Sequence, residues 1–359
     1  MNKKTNILIT GVGGPTPRSF ARAVKFIGGD KGEKYRFVGV DCNPLAYGLY
    51  DYELFDVTYL VPKATDQNYW TKINQIIDKE DIHGAIVLPE VEVLEWSKNK
   101  ANLIKDIKIH LPEYDLANNL INKHRLHKLL EGTDLIPAYA KVDPKEAKYQ
   151  DIAGKVGETF WIRGTEGSSG LGSLKISGEG ELNQWLAINE DVKEFIATEY
   201  LPGRNLACKM LYFNGELKRT ACAERVNYIM ANVAPSGITG NTSYGKLVNE
   251  RRLHNLSEQA LNIISQELKT SLNGIFTVDY KEDSKGQPKI TEINIRHVAF
   301  TSSMAAGGAN IPLDTLELMF SEDAQAMPVK YYEYPEHLIF LRDVDEKPII
   351  MREKDIKQS

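Results

Sequence analysis

Three residues in the last third of the chain can hold a hard cation. Asp279 lies at the end of the apolar run Gly274–Tyr280, and Glu292 and Asn294 sit within the next run, Ile290–Ile295. Side chains two apart on a strand share a face, so Glu292 and Asn294 project together, with Asp279 on the preceding antiparallel strand. Two carboxylates and an amide oxygen make an oxygen set suited to Mg2+ bridging phosphates. Arg296 comes next on that face and can reach an anionic substrate or a transferring phosphoryl group. The plainer reading is a hairpin with a solvated polar face. Ile293 and Ile295 alternate with these polar residues, so the other face is buried, and that favours a site.

A second cluster is the segment Arg163-Gly-Thr-Glu-Gly-Ser-Ser-Gly-Leu-Gly172. Its glycines and serines let backbone N–H groups converge on an anion. It lacks the Gly-Lys-Ser/Thr ending of a P-loop, so that mechanism is excluded. Arg163, just ahead of it, can neutralise phosphate charge bidentately. The plainer reading is a flexible hairpin loop. A third cluster, Gly11-Val-Gly-Gly14, follows the first apolar run, and Asp41 closes the second where a ribose-binding acid would sit. The third fingerprint position is Thr16, flanked by Pro15 and Pro17, so the dinucleotide pattern is incomplete and a tight turn is the simpler reading.

The elements that must position these residues read as follows. Strands at Asn6–Thr10, Tyr35–Asp41, 54–61 and 82–88 alternate with helical spacing at 19–27 and Tyr69–Lys79, which predicts a parallel sheet with helices on both faces. Glu90 and Glu92 follow Pro89 as a loop acid pair, more often surface decoration than the lining of a crevice. A helix carrying Lys123, Leu126, Leu129 and Leu130 opens a second unit, in which strands at 160–163 and 173–176 flank the Gly/Ser loop. Strands at 195–200 and 206–213 open a third unit, Asn214-Gly215 signals a hairpin, and 253–268 is an amphipathic helix. The expected division is 1–115, 116–190, 191–325 and a tail, 326–359, packing back on the core.

The chain has 359 residues, enough for two or three packed units. A net charge of −5 argues against a general nucleic-acid binder but not against a local anion pocket. No apolar run approaches the roughly 18 residues needed to cross a bilayer, so no membrane partner is expected. Cys42, Cys208 and Cys222 are odd in number and widely spaced, which suggests neither a disulfide framework nor a zinc site; a reducing cytoplasm fits. His83, His110, His124, His127 and His254 lack paired metal spacing and read as structural or solvated. Trp161 and Trp185 read as core.

The order of these motifs resembles the ATP-grasp superfamily over about residues 5–325, with the flavour of the carbamoyl phosphate synthetase large-subunit and biotin carboxylase-like branch. The resemblance implies a mixed α/β chain, α+β in its C-terminal half: a Rossmann-like parallel sheet followed by a two-lobed ATP-grasp unit. Lys123 and Arg163 match phosphate-binding cations, and Gly167, Ser168, Ser169, Gly170 and Gly172 match a loop over the phosphates. Glu199, Tyr200 and Leu201 match the adenine hinge. Asn205 stands where a ribose-binding glutamate is usual. Arg225 and Arg296 match arginines acting on the phosphoryl intermediate, and Asp279, Glu292 and Asn294 match the metal ligands. Ile295 replaces a usual proline, and His297 and Phe300 replace usual glycines, which would reshape the substrate pocket. The segment 308–312 matches a helix opening near the substrate pocket.

The implied function is an ATP-dependent carboxylate ligase. ATP and Mg2+, with Mn2+ as the alternative ion, would form an acylphosphate that an amine or similar nucleophile attacks. The implied partners are small-molecule carboxylate and nucleophile substrates and, by analogy with such folds, a second copy of the chain. Rival readings are phosphorylation of bicarbonate or carbamate, an NAD-dependent oxidoreductase resting on Gly11–Gly14 and Asp41, and a non-catalytic nucleotide-binding protein.

Overall fold

A computed structural model of the chain describes residues 4–167, 172–344, 348–349, 351 and 353–358. Its first unit contains β1 (Thr5–Thr10), α1 (Pro15–Lys25), β2 (Tyr35–Asp41), β3 (Val57–Leu60), α2 (Tyr69–Lys79), β4 (Gly84–Ile86), α3 (Glu90–Lys98), β5 (Lys108–Ile109) and α4 (Tyr114–Ile121). The five strands form a parallel sheet in the order β3-β2-β1-β4-β5. Ile7, Leu8, Ile9, Phe37, Val38 and Val40 are all fully buried, as a parallel sheet covered on both faces requires. The strand order reverses between β1 and β4, and a crevice opens at such a point beyond the strand ends. Gly11 turns the chain there with φ +65°, and a Cβ on it would stand 2.3 Å from Pro89 Cγ. Only glycine permits that approach.

Two local expectations in this unit change. Helix α1 begins at Pro15 rather than at residue 19, because proline is tolerated in a first helical turn. Glu90 and Glu92 are not in a loop: they form the first turn of α3, with Pro89 as its N-cap. Acids there suit the positive end of the helix.

The second unit holds α5 (Lys123–Leu129), β6 (Tyr139–Val142), α6 (Tyr149–Val156), β7 (Phe160–Gly164), β8 (Leu174–Ile176), α7 (Glu179–Ile188) and β9 (Phe195–Glu199). Its antiparallel sheet runs β6-β9-β7-β8. Strand β9, assigned to the third unit by the sequence, pairs with β6 and β7 here. Its Phe195 and Ala197 are buried with Phe160 and Ile162 in one apolar core, and this places it.

The third unit holds β10 (Asn205–Phe213), β11 (Glu216–Tyr228), β12 (Thr242–Val248), α8 (Arg251–Leu268), β13 (Gly274–Glu282), β14 (Pro288–Asn294), α9 (Thr301–Ala306), α10 (Ile311–Phe320), β15 (Lys330–Tyr331) and β16 (Ile339–Leu341). The sheet runs β14-β13-β10-β11-β12-β16, with β15 beside β11. Asn214 (φ 46°) and Gly215 (φ 85°) close the β10–β11 hairpin in the left-handed region a tight two-residue turn demands. One face of the sheet is covered by α8 through Leu253, Leu261 and Ile264. The other is covered by Phe300, Met304, Ile311 and Leu318. Leu313, Leu316 and Met319 of α10 reach the core of the first unit and fasten the two units together.

Candidate active site

Asp279 and Glu292 are directly opposed on β13 and β14, and Asn294 opposes Thr277 one step further along the same face. Asn294 Nδ2 donates to Asp279 Oδ2 at 2.9 Å. Asp279 Oδ1 is buried, lies 3.6 Å from Arg225 Nη1, and makes no hydrogen bond. Burial pushes the Asp279 carboxyl up to about 7, and Glu292 beside it adds to the shift. Burial acts in the same sense on Glu292, but Lys123, Arg163 and Arg225 outweigh it and hold that carboxyl at about 2. The facing acids therefore retain one proton near neutrality, on Asp279. A divalent cation would replace that proton, and the unpartnered Oδ1 is an oxygen waiting for a partner. The donor set fits Mg2+.

A β-bulge sits beside this pair, since Asp279 opposes Glu292 while Tyr280 opposes Ile290. Thr291 is the extra residue, and its carbonyl, freed from the ladder, accepts from Arg163 Nη2. Arg163 Nη1 lies 3.7 Å from Glu292 Oε2, and Arg163 Nε is buried without a partner. Lys123 opens α5, where the Asn122 side chain caps by accepting from Arg125 N at 3.0 Å. The Lys123 Nζ donates to the Gly167 carbonyl at 2.8 Å. Arg225 is held by donating to Thr242 Oγ1 (3.0 Å) and the Gly240 carbonyl (2.7 Å). Three cations thus converge on two acids, which leaves a positive balance suited to a polyanion.

Two connected spaces meet at this centre. The smaller, of about 130 Å³, is lined by Lys123, Trp161, Arg163, Gly167, Glu199, Tyr200, Leu201, Asn205, Arg225, Asp279 and Glu292, among others. Its far wall is the crossing from β9 to β10, where the chain passes from one sheet to the other. The Glu199 carboxylate accepts from Ala138 N at 3.4 Å. Asn205 is steadied by its neighbour Arg204, whose guanidinium donates twice to Glu282 and pairs with Glu250 at 2.8 Å. The larger space, about 600 Å³, runs from Asp279, Glu292 and Asn294 to the glycine turn of the first unit. Gly11, Pro15, Leu88, Val91, Val298 and Phe300 give it an apolar wall, and Glu90, Glu166, Arg225 and Arg296 add charge beside the acid pair. Arg296 Nη2 donates to Glu90 Oε1 at 3.0 Å across that space.

The described residues among the sequence-chosen set therefore lie around one cleft. Ser168, Ser169 and Gly170 lie outside the described residues. Some other expectations change. Trp161 lines the smaller space instead of the core, whereas Trp185 is buried. His297 is buried against Phe20 at 5.1 Å and does not shape the pocket, although Phe300 does. Asn310 caps α10 and donates to the Ala23 carbonyl, so the segment at 308–312 ties α10 to α1. Both Asp41 oxygens are engaged within the turn they close, accepting from Gly13 N (2.8 Å) and Asn43 N (2.9 Å).

Sequence reasoning missed the stretch from Tyr228 to Asn241, which supplies Tyr228, Ile238, Gly240 and Asn241 to the two spaces. Gly237 and Gly240, both with positive φ, were the available signal.

No family model and no curated protein matches the sequence. Solved structures do match the fold. N5-carboxyaminoimidazole synthetase from Staphylococcus aureus, complexed with ADP, is 16% identical with a TM-score of 0.67, over 93% of this chain and 81% of that one. The biotin carboxylase domain dimer of 2-oxoglutarate carboxylase from Hydrogenobacter thermophilus, with MgADP, ADP and bicarbonate, is 13% identical with a TM-score of 0.62, over 90% and 71%. D-alanine–D-alanine ligase from Bacillus anthracis is 15% identical with a TM-score of 0.56, over 90% and 98%. The chain shares the fold of these enzymes.

Proposed function

We propose that the cleft binds ATP with Mg2+ and transfers the γ-phosphoryl group to a carboxylate held in the larger space. An amine or similar nucleophile then attacks the acyl carbon, phosphate leaves, and the proton lost by the nucleophile passes to solvent. The observation that carries this reading is the convergence of Lys123, Arg163 and Arg225 on the Asp279–Glu292 pair, where the two spaces join.

Each residue has a role in it. Glu199 and the backbone of Tyr200 and Leu201 meet the adenine, and Asn205 meets the ribose, since all four line the smaller space. That space is small for a whole nucleotide, so the triphosphate must lead out past Asp279 and Glu292. Asp279, Glu292 and Asn294 would hold Mg2+, which supplies charge neutralisation at the transferring group. Lys123 and Arg163 bind phosphate oxygens. Arg225 and Arg296 stabilise charge on the acylphosphate, and these two are the catalytic residues of the account.

The apolar lining of the larger space suits an organic acid better than bicarbonate or carbamate. The engagement of both Asp41 oxygens in the turn argues against an NAD site at Gly11–Gly14. The test is ADP release from MgATP across a panel of organic acids and amines, on wild type and Glu292→Ala. Release that needs both an acid and an amine and is abolished in the folded variant supports the reading. A variant that keeps near-full activity overturns the metal assignment.

A further inference from the structure

On the opposite face of the same sheet, Cys208, Cys222 and His254 meet. Cys208 and Cys222 are direct partners on β10 and β11. Their thiols face α8, while their neighbours Ala207 and Ala223 lie on the face that carries Asp279 and Arg225. His254 Nδ1 from α8 lies 3.6 Å from Cys208 Sγ, and Cys222 Sγ lies 3.6 Å from Nε2 and 3.8 Å from Nδ1 of the same ring. Thr220 Oγ1 completes the group, 2.7 Å from Nδ1 and 3.4 Å from Cys208 Sγ. The ligand atoms all lie within 4.8 Å of one another, and the three residues are between 0% and 4% exposed.

Two thiols around one imidazole is an unusual content for a sheet–helix core. Tetrahedral zinc, with Zn–S about 2.3 Å and Zn–N about 2.0 Å, sets its sulfur and nitrogen ligands about 3.5 Å apart. The two Nδ1–sulfur distances are close to that value. We propose that Cys208, Cys222 and His254 form a buried site for a thiophilic cation, Zn2+, that staples α8 to the β10–β11 hairpin behind the active-site sheet. Thiolate and imidazole donors select zinc over Mg2+, so this site does not compete for the ion held by Asp279 and Glu292. Thr220 Oγ1, 2.7 Å from Nδ1, is hydrogen-bonded to the imidazole that would take the cation.

The protonation of the pair accords with this. Burial pushes the Cys208 thiol up, but hydrogen bonds from Cys222 and His254 outweigh it and hold it well below its ordinary value. Burial and the Cys208 charge push Cys222 well up. Zinc held by two thiolates and a neutral imidazole would displace the Cys222 thiol proton, take the hydrogen off the His254 nitrogen that binds, and change no oxidation state. Tyr331 covers the imidazole. Its ring stands edge-on to His254 at 5.2 Å, beneath Arg251, on the two-residue strand β15.

The test uses the full chain, chelator-treated and then refolded in the presence of Zn2+ alone or Co2+ alone, so that slow entry cannot hide binding. The expected result is one tightly held equivalent of zinc and a sulfur-to-cobalt charge-transfer band. Both persist in Cys42→Ser and are lost in Cys222→Ser, and zinc raises the Tm of wild type but not of Cys222→Ser. His254→Gln, which keeps both thiols, is expected to bind at least tenfold more weakly. Wild type that refolds without retaining zinc and shows no thiolate band overturns the proposal, and so does binding that survives in both variants.

Discussion

Asn294 Nδ2 donates to Asp279 Oδ2 at 2.9 Å, so the amide fixes the very carboxyl that retains the extra proton. The Asp279 pKa is raised from 3.8 to about 7, chiefly by burial. By the sign of that shift, any stability the proton confers is present below pH 3.8 and lost as pH rises through about 7. The same proton must leave before a cation binds. Mg2+ affinity in the presence of ATP is therefore expected to rise about tenfold per pH unit between pH 5.5 and 7 and then level off. Magnesium titrations followed by calorimetry check this, and a requirement that does not change with pH contradicts it.

The Glu90–Arg296 pair spans the larger space, from the first turn of α3 to the end of β14. In the proposed mechanism Arg296 acts after ATP is bound. Arg296→Ala is expected to leave ATP affinity within about twofold and to lower kcat/KM for the acid about a hundredfold. A loss of ATP binding of the same size would move Arg296 to the nucleotide site.

Glu92 is buried in the first turn of α3 and accepts from Tyr69 Oη at 3.1 Å, which in turn accepts from Trp96 Nε1 at 2.8 Å. Burial raises its carboxyl from 4.5 to about 7, and Asp41 adds to the shift. Its contribution to stability is full below pH 4.5 and lost as pH rises through about 7, a change of roughly 3 kcal/mol. Urea midpoints at pH 5 and pH 8 measure it. Glu92→Gln is expected to flatten that slope, and an unchanged slope would remove Glu92 as its source.

Asn122 both caps α5 and precedes Lys123. Asn122→Ala is expected to cost about 1 kcal/mol of stability. It should weaken ATP binding more than an exposed control such as Lys128→Ala, because it loosens the turn that aims Lys123. Denaturant midpoints and ATP titrations on the same samples separate the two effects.

The shared face of the candidate site was legible where local rules decide it. Alternation along Ile290–Ile295 fixed which side chains share a face, and the strand before it supplied Asp279, so the grouping of Asp279, Glu292 and Asn294 needed no long-range information. Pro89 misled, because proline before an acid pair looks like a loop but also sits well at a helix N-cap. Strand β9 was readable as a strand, but its sheet is set by which core buries Phe195 and Ala197. Contacts made by distant segments were not legible. Glu90 and Arg296 are 206 positions apart, and Cys208 is 46 positions from His254, so only the folded sheet order brings them together.

The most direct test of the ATP site is calorimetry of ATP binding, with and without Mg2+, on wild type and Arg163→Ala. The account predicts micromolar binding that depends on Mg2+ and weakens at least tenfold in the variant. Binding that is absent in wild type, or indifferent to both metal and Arg163, would contradict it.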